Sequence, residues 1–430
     1  MVRAFFCLLI LGLASSPVIA KPLITSSEDT MARICLARSE TPPRIVSACD
    51  AALTAAGLTQ KQRAEFITAR GDGYLWLDQY SVAVASFEEA LALDKTATDA
   101  WNGLGWALWE LEGDVAAYGA FDTSLSIGVS VQALGGKAAT GRRMGKLSSD
   151  EARVLLTAAL SIDPDYIWAV REIAWSYLDE GDAQRATAEF EAALDIEPAD
   201  INARYGLGRA KLSENKAEEA LVLFNQVLID APDDFPSLVY RIIALRELDR
   251  NSQALREADR LIAAYPEKSS GYIERGQALL ALGRRAEAIE TYELADTRLG
   301  ANNAILYWYA DALSTDGRFA EALAVIDRAI VLSGADYSDH LLRSYIALEL
   351  RDYATARAAA EASLATGVKD PWAHFYLAIT LVRAGEVAAG LLRFEQALES
   401  GLPIDRVGAF ASELVGVGNY VEAAELRLKY

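Results

Sequence analysis

The sequence is poor in the residues that most often carry out chemistry in proteins. Its 430 residues include two histidines, His340 and His374, and three cysteines. The histidines lie 34 residues apart, and no triad motif accompanies them. No cysteines and histidines are spaced as zinc ligands, so no metal site is expected. This composition argues against an enzyme, and we expect neither catalytic residues nor a cofactor.

A phosphate-binding loop is also missing. The segment GKAATGRRMGK at 136–146 superficially resembles one, but it lacks the final Lys-Ser/Thr pair, and no strand is predicted before it. Nucleotide binding is therefore not expected. Four cations in this segment instead predict a solvated insert or a small basic spot for an anionic partner: Lys137, Arg142, Arg143 and Lys146.

Positive charge is scarce relative to negative charge. Lysine and arginine total 41 against 61 aspartates and glutamates, which gives a net charge of −20. This balance argues against nucleic acid or anionic lipid as the main partner. It is compatible with basic protein partners or simply with solubility.

Long apolar runs are absent after the first 20 residues, so no transmembrane helix is expected in the rest of the chain. Residues 1–20 have the pattern of a secretory signal peptide. Arg3 supplies the positive end, Ala4–Leu13 the apolar run, and Val18–Ala20 a small-residue cleavage site. Lys21 follows the predicted cut, and the lack of a cysteine there argues against a lipid anchor. An uncleaved membrane anchor is the alternative.

Two cysteines, Cys35 and Cys49, remain after the predicted cut, and an even number in an exported chain favours a disulfide. Such a bridge would staple a helical cap over residues 21–63 and stabilise it by about 3 kcal/mol. Two buried free thiols are the alternative.

The dominant positive feature is an internal repeat. Small residues recur every 34 residues, with one gap of 35, over most of the chain. This period indicates one helical hairpin stacked many times. The column consists of Ala83, Ala117, Ala152, Ala186, Ala220, Ala254, Ala288, Ala322, Ala356, Gly390 and Ala424.

Other columns keep the same phase. A bulky residue follows four positions later in most copies, as at Phe87 and Phe121, and a small residue precedes by twelve, as at Gly71 and Gly105. The spacing places the small and bulky residues of the second helix on one face, and the preceding small residue on an earlier helix. Four glycines fall between the two helices, where a left-handed residue can end the first: Gly181, Gly283, Gly317 and Gly385.

These columns resemble the tetratricopeptide repeat family. ATAEFEAALDIEP at 186–198 is similar to its second helix and exit turn, and YIERGQALLALGR at 272–284 to its first helix and turn. The resemblance implies an all-α, right-handed superhelical solenoid. Ten repeats are predicted over 64–404, starting at 64, 98, 133, 167, 201, 235, 269, 303, 337 and 371. A truncated capping repeat is predicted at 405–430.

Two copies depart from the pattern. The copy at 133–166 carries Gly135, Gly136, Gly141 and Gly145 in its predicted first helix, where glycine is costly. Ile242 places a large residue where close helix contact is usual. We expect distortion at these two places.

The resemblance implies a concave groove lined by the second, fifth, ninth and twelfth residues of each copy. Five of the eight tryptophans fall on these positions, which favours a binding surface over packing between repeats. Lys137 shares the face. His340 and His374 instead fall in a packing column. The predicted groove residues are Trp106, Trp109, Trp168, Arg171, Trp175, Tyr205, Arg209, Tyr307, Tyr345, Trp372 and Phe375.

Together these features predict an exported, soluble, non-catalytic scaffold. It would bind a protein or peptide segment in its groove and help to organise an envelope complex. The periplasm of a Gram-negative bacterium is implied by the resemblance. Because tryptophans stack on sugar rings, glycan or exopolysaccharide binding is the main alternative. A purely architectural spacer is another.

Overall fold

A computed structural model describes residues 27–300, 302–333 and 336–430. The predicted signal peptide therefore lies outside the described residues. Within those ranges the secondary structure consists of 24 α-helices without a strand, and the all-α repeat prediction is confirmed. No helix among them is long and apolar enough to cross a membrane. The described residues form two compact units, which are divided between Glu214 and Asn215.

The first unit contains eleven helices in its described part. They are α1 (Ser27–Ala37), α2 (Pro42–Leu53), α3 (Gln60–Leu75), α4 (Tyr80–Leu93), α5 (Thr98–Glu110), α6 (Asp114–Ile127), α7 (Val131–Arg143), α8 (Ser149–Ile162), α9 (Ile167–Asp179), α10 (Ala183–Ile196) and α11 (Ile201–Ser213).

The second unit continues with thirteen helices in the residues that are described. They are α12 (Ala217–Asp230), α13 (Phe235–Glu247), α14 (Asn251–Ala264), α15 (Ser269–Ala281), α16 (Arg285–Leu299), α17 (Asn303–Thr315), α18 (Phe319–Ser333), α19 (Tyr337–Glu349), α20 (Tyr353–Ala365), α21 (Pro371–Arg383), α22 (Val387–Glu399), α23 (Arg406–Gly416) and α24 (Tyr420–Lys429).

Within each unit, every first helix of a repeat contacts the first helix of the next. In the first unit this row is α3, α5, α7, α9 and α11; in the second it is α13, α15, α17, α19, α21 and α23. Second helices contact mainly the first helices on either side of them. The first helices are thus the more closely spaced row, and we call each set the first-helix row of its unit.

Left-handed residues end the first helices as predicted. Gly181 and Gly283 have φ values of +80° and +74° in the tight turn between the helices of their copies. Gly317 and Gly385 do the same. In other copies the position is held by a residue with a Cβ atom, such as Glu112 at φ +59°. The turn therefore imposes this conformation even where it costs about 1 kcal/mol or more.

Bulky side chains fill the gap that the small residues leave. Phe121 is fully buried, and a Cβ atom added to Gly105 or Gly136 would lie 2.6 or 2.2 Å from its ring. The phenylalanine from one helix thus replaces the missing side chains of its two neighbours. The bulky residue of the second helix therefore packs against small residues of its own hairpin and of the following copy, which holds the two copies together.

Ile242 is accommodated because the large and small residues of its hairpin have changed places. In other copies its position is small and faces the bulky residue of the second helix, as Gly276 faces Tyr292. In this copy the bulky position is Ala258, and both Ile242 and Ala258 are buried. The large side chain comes from the first helix instead of the second. Helix α13 spans the usual 13 residues.

The glycine-rich copy also forms a regular first helix, but in a shifted register. Helix α7 begins at Val131, two residues before the predicted start at 133, and Gly145 lies in the following turn with φ +65°. Gly135 and Gly136 lie inside the helix, and a Cβ atom added at these positions would meet the rings of Trp168 and Phe121, respectively. These glycines are therefore required by the packing of aromatic rings.

At the N-terminal end of the described chain, α1 and α2 pack on α3. The Sγ atoms of Cys35 and Cys49 are 2.08 Å apart and their Cα atoms 4.8 Å apart. Both residues are buried beside Ile45 and Phe66, in the core that joins these three helices. The cap is therefore continuous with the first repeat.

Candidate functional site

Three predicted groove tryptophans form one cluster on the first-helix row of the first unit. The rings of Trp106 and Trp109 are stacked with centroids 5.1 Å apart, and Trp168 meets both edge-on at 5.1 and 6.0 Å. The Arg143 guanidinium lies 4.8 Å from the Trp109 ring. Trp106 is buried, whereas Trp109 and Trp168 are half-buried. This cluster carries its own cation.

A second aromatic group follows on α9 and α11. The Trp175 and Tyr205 ring centroids are 5.9 Å apart, and Arg209 lies 5.2 Å from the Trp175 ring. All three residues are half-buried. The face predicted from the repeat therefore does bring these side chains together, again with an arginine over a tryptophan.

Arg171 has a structural partner. It is buried and donates a hydrogen bond to the Asp200 carboxylate at 2.6 Å, while the same carboxylate accepts from the Ala203 backbone N–H at the start of α11. Satisfying a buried charge in this way holds α9 against α11. We therefore leave Arg171 out of the proposed contact surface.

The four cations of the glycine-rich copy are all engaged within the first unit. Lys137 pairs with Asp122 and Arg142 with Asp179, in both cases at 2.5 Å, and Arg143 pairs with Asp114. The Lys146 ammonium lies 4.0 Å from the Tyr118 ring. The pairing of Lys137 with α6 follows from the shifted register of α7. Three of the four cations thus have a carboxylate partner, whereas the exposed Lys146 has only the Tyr118 ring.

Burial dominates the electrostatics beside this spot. It raises the pKa of Glu172, even though the Arg142 guanidinium lies 3.5 Å from that carboxylate. Burial likewise lowers the pKa of Arg143 against the opposing effect of nearby glutamates. The Glu172 carboxyl is therefore poorly solvated, whereas Arg143 on the same part of the row is exposed.

The second unit carries its predicted aromatic residues on α17, α19 and α21. Tyr345 on α19 reaches Tyr376 at a centroid distance of 5.7 Å, and Tyr376 reaches Trp372 at 6.1 Å. Tyr307, on α17, packs edge-on against Trp308. Tyr307, Tyr345, Trp372 and Tyr376 are half-buried. They present a partly accessible aromatic surface.

Phe375 is instead part of the core. It is buried, and its ring centroid lies 6.1 Å from that of the buried Phe394 on α22. Like Trp106, it supports the surface from beneath.

Sequence reasoning overlooked three residues on the row of the second unit. Asp311 occupies the ninth position of its copy and Arg406 the second. Both are groove positions, so the rule that found the aromatic residues would have found these two charged residues as well. Arg406 lies 5.0 Å from the Trp372 ring. Tyr376 holds a sixth position, which that rule does not cover, and burial raises its pKa to about 12.

His340 and His374 remain poor candidates for chemistry. Both are half-buried, and burial lowers the pKa of each imidazole, with Arg343 and Arg393 respectively acting in the same direction. Across the described ranges, no histidine, cysteine or carboxylate group is arranged to hold a metal ion.

Comparisons with known proteins agree with the repeat. The tetratricopeptide repeat description matches residues 68–125 and 177–245. A bacterial transcriptional activator domain description matches residues 235–302. Among curated proteins, none matches this chain.

Solved structures include similar helical repeats. The yeast Tom70 structure is 13% identical, with 94% of this chain and 95% of that chain covered and a TM-score of 0.51. The Cut9–Hcn1 structure is 12% identical, with 94% of this chain and 86% of that chain covered and a TM-score of 0.49. A tetratricopeptide repeat protein from Parabacteroides merdae is 15% identical, with 58% of this chain and 98% of that chain covered and a TM-score of 0.45. The repeat matches, the helical hairpins and the likeness to Tom70 together identify the fold of this chain as the tetratricopeptide repeat fold.

Proposed function

We propose that this chain is an exported, non-catalytic scaffold that binds a protein segment along its first-helix rows. The observation that carries the proposal is the set of half-buried aromatic side chains on these rows. Half-buried rings retain an accessible face or edge while their packing limits the entropy lost on binding. A stack of hairpins also offers an extended surface, which suits a helix or an extended peptide.

A protein segment fits this surface better than a glycan. Sugars stack on open ring faces, but Trp106 and Trp109 stack on each other and Arg143 lies over Trp109. Arg209 and Arg406 stand over Trp175 and Trp372 in the same way. One face of each of these tryptophans is thus already used within the protein, which leaves less open ring area for a sugar than for a protein side chain.

Site-specific crosslinking tests the proposal. Benzoylphenylalanine would replace Tyr205 or Tyr307 on the rows, with Val154 and Val331, which are 68% and 84% exposed on second helices, as matched controls. In an envelope extract we expect a discrete polypeptide adduct from the row positions only. Equal adducts at the control positions would move the interface elsewhere. Adducts sensitive to glycosidases and resistant to proteases would replace the protein segment by a polysaccharide.

Export to an oxidising compartment, here the periplasm, is the second part of the proposal. The signal-peptide pattern of residues 1–20 supports it, and so does the pair of cysteines, Cys35 and Cys49, buried in one core of the cap. In a Gram-negative host we expect a mature chain that begins at Lys21, is released by osmotic shock and does not react with maleimide after denaturation. An unprocessed chain in the cytoplasmic fraction with three reactive thiols, those of Cys7, Cys35 and Cys49, would contradict it.

The role in an envelope complex rests on this location and on the absence of recognisable catalytic motifs in the sequence. Identification of the crosslinked polypeptide by mass spectrometry would test it directly. An envelope protein that belongs to a multi-protein assembly is the expected result. A soluble metabolic enzyme as the main adduct would contradict it.

A further inference from the structure

Asp311 is a half-buried carboxylate without a cationic partner. It lies on α17 in the first-helix row of the second unit, at a predicted groove position. No lysine or arginine of the described chain forms an ion pair with it, although most described arginines form one elsewhere. Burial raises the pKa of this carboxyl.

Two tyrosines share this part of the row with Asp311. Tyr307 is four residues earlier on α17, hence on the same face, and Tyr345 lies on the adjacent α19. Burial raises the pKa of both phenols, and the negative charge of Asp311 adds to the effect in each case. The field of the carboxylate therefore reaches both rings. No described cation stands over either ring.

Other aromatic rings on the rows show what is missing here. Trp109, Trp175 and Trp372 each have an arginine of the same unit within 4.8 to 5.2 Å of the ring centroid. A cation over an aromatic face is favourable, and a neighbouring carboxylate strengthens the attraction. On the row around Asp311 the two tyrosine rings and the carboxylate are present, but no described lysine or arginine lies over the rings.

We propose that Asp311, Tyr307 and Tyr345 receive a lysine or arginine side chain from a basic segment of the protein partner. This inference rests on the proposed function and specifies the chemistry of its partner. Glu349, which is exposed one turn beyond Tyr345, supplies a second negative charge at the edge of the site. The net charge of −20 would steer such a segment toward the protein.

The test measures binding of labelled peptides to chain 21–430 by fluorescence anisotropy. The probe is a twelve-residue peptide of alternating lysine and alanine, roughly the length of chain that an extended strand needs to cross three neighbouring helices. A peptide with glutamine in place of lysine is its neutral counterpart. We expect saturable, salt-sensitive binding of the lysine peptide only.

Asp311→Asn should weaken binding of the lysine peptide about tenfold, since it removes the charge but keeps the shape. Glu290→Gln is the matched control, because it removes one exposed carboxylate from α16 of the same unit. Tyr345→Phe should bind nearly as well as the parent, whereas Tyr345→Leu should lose a few-fold by removing the ring.

Three results would overturn the inference: no saturable binding by the parent chain, equal binding of the glutamine peptide, or equal losses for Asp311→Asn and Glu290→Gln. Circular dichroism of each variant would distinguish loss of binding from loss of folding. If row-specific crosslinks to a protein persist while Asp311→Asn has no effect, the scaffold function stands and only the basic partner is rejected.

Discussion

The two units place aromatic rings on equivalent rows of helices but differ in the charged group that lies beside some of the rings. In the first unit, Arg143 and Arg209 cover Trp109 and Trp175. In the second, Asp311 lies beside Tyr307 and Tyr345 without a cation, although Arg406 still covers Trp372. The comparison teaches that a repeat determines where a side chain stands on its helix. The neighbouring copies decide whether its charge is satisfied.

The buried ion pair of the first unit offers the largest test of this difference. Arg171→Met should lower the free energy of unfolding by about 3–5 kcal/mol, because the Asp200 carboxylate would stay buried without its cation. Arg343→Met in the second unit is the control, since its pair with Asp327 is more exposed and should be worth less than about 1 kcal/mol. Urea unfolding followed by tryptophan fluorescence measures both. Equal losses would remove the distinction between the units.

The cap provides the next test, because both cysteines that the structure describes, Cys35 and Cys49, lie in it. Replacing both Cys35 and Cys49 by serine should destabilise α1–α3 by about 3 kcal/mol, because the proposed bridge between them would close a loop. Hydrogen exchange measured by mass spectrometry should show faster exchange in those helices and no change in α19–α24. Faster exchange throughout the chain would show that the cap controls both units.

A third test compares the hairpin of Ile242 and Ala258 in the second unit with that of Gly105 and Phe121 in the first, where the large and small residues are placed the other way round. Ala258→Phe should cost about 1–3 kcal/mol by overpacking, because Ile242 already fills the space. Adding Ile242→Gly should recover much of that loss and recreate the arrangement of Gly105 and Phe121. A double-mutant cycle in urea measures the coupling. Additive losses would mean that these two positions do not share one space.

The smallest expected effect concerns pH. Burial raises the pKa of Asp72 from its ordinary 3.8 to about 6, even with Arg38 at 2.8 Å. The folded cap thus holds this proton more tightly than the unfolded chain, so its stability should increase as pH falls from about 6 toward 4. Hydrogen exchange in α3 should slow correspondingly, after correction for the intrinsic pH dependence of exchange.

Asp72→Asn is the matched variant for that experiment, because it removes the proton equilibrium and keeps the size of the side chain. The pH dependence of α3 should become flatter in this variant. An unchanged slope would assign the effect to other groups near the cap.

Much of the fold could be predicted from the columns of the repeat. The spacing of Ala83 and its equivalents, and the glycines at positions such as Gly181, led to hairpins whose turns the structure confirms. The register of α7 could not be predicted, because the one extra residue in that copy can lie in the helix or in the turn. The structure has three residues before α7, against four before α9, and five after α7, against three after α9, so α7 starts two residues early and Lys137 faces Asp122.

The candidate surface was predicted less completely than the fold. The position rule found Tyr307 and Tyr345, but it treated Arg171 as a contact residue and passed over Asp311. Arg171 is satisfied by Asp200, 29 residues away on the next first helix. Such a pairing depends on side-chain reach across a helix interface, which a sequence period does not specify.

The sequence by itself determined the succession of helical hairpins, because each copy must bury the same small and bulky columns to be stable. The tertiary structure alone decided which charged groups are neutralised. Arg143 comes to lie over Trp109, and Asp311 stays unpaired, because neighbouring copies bring distant side chains together at distances that the repeat does not encode.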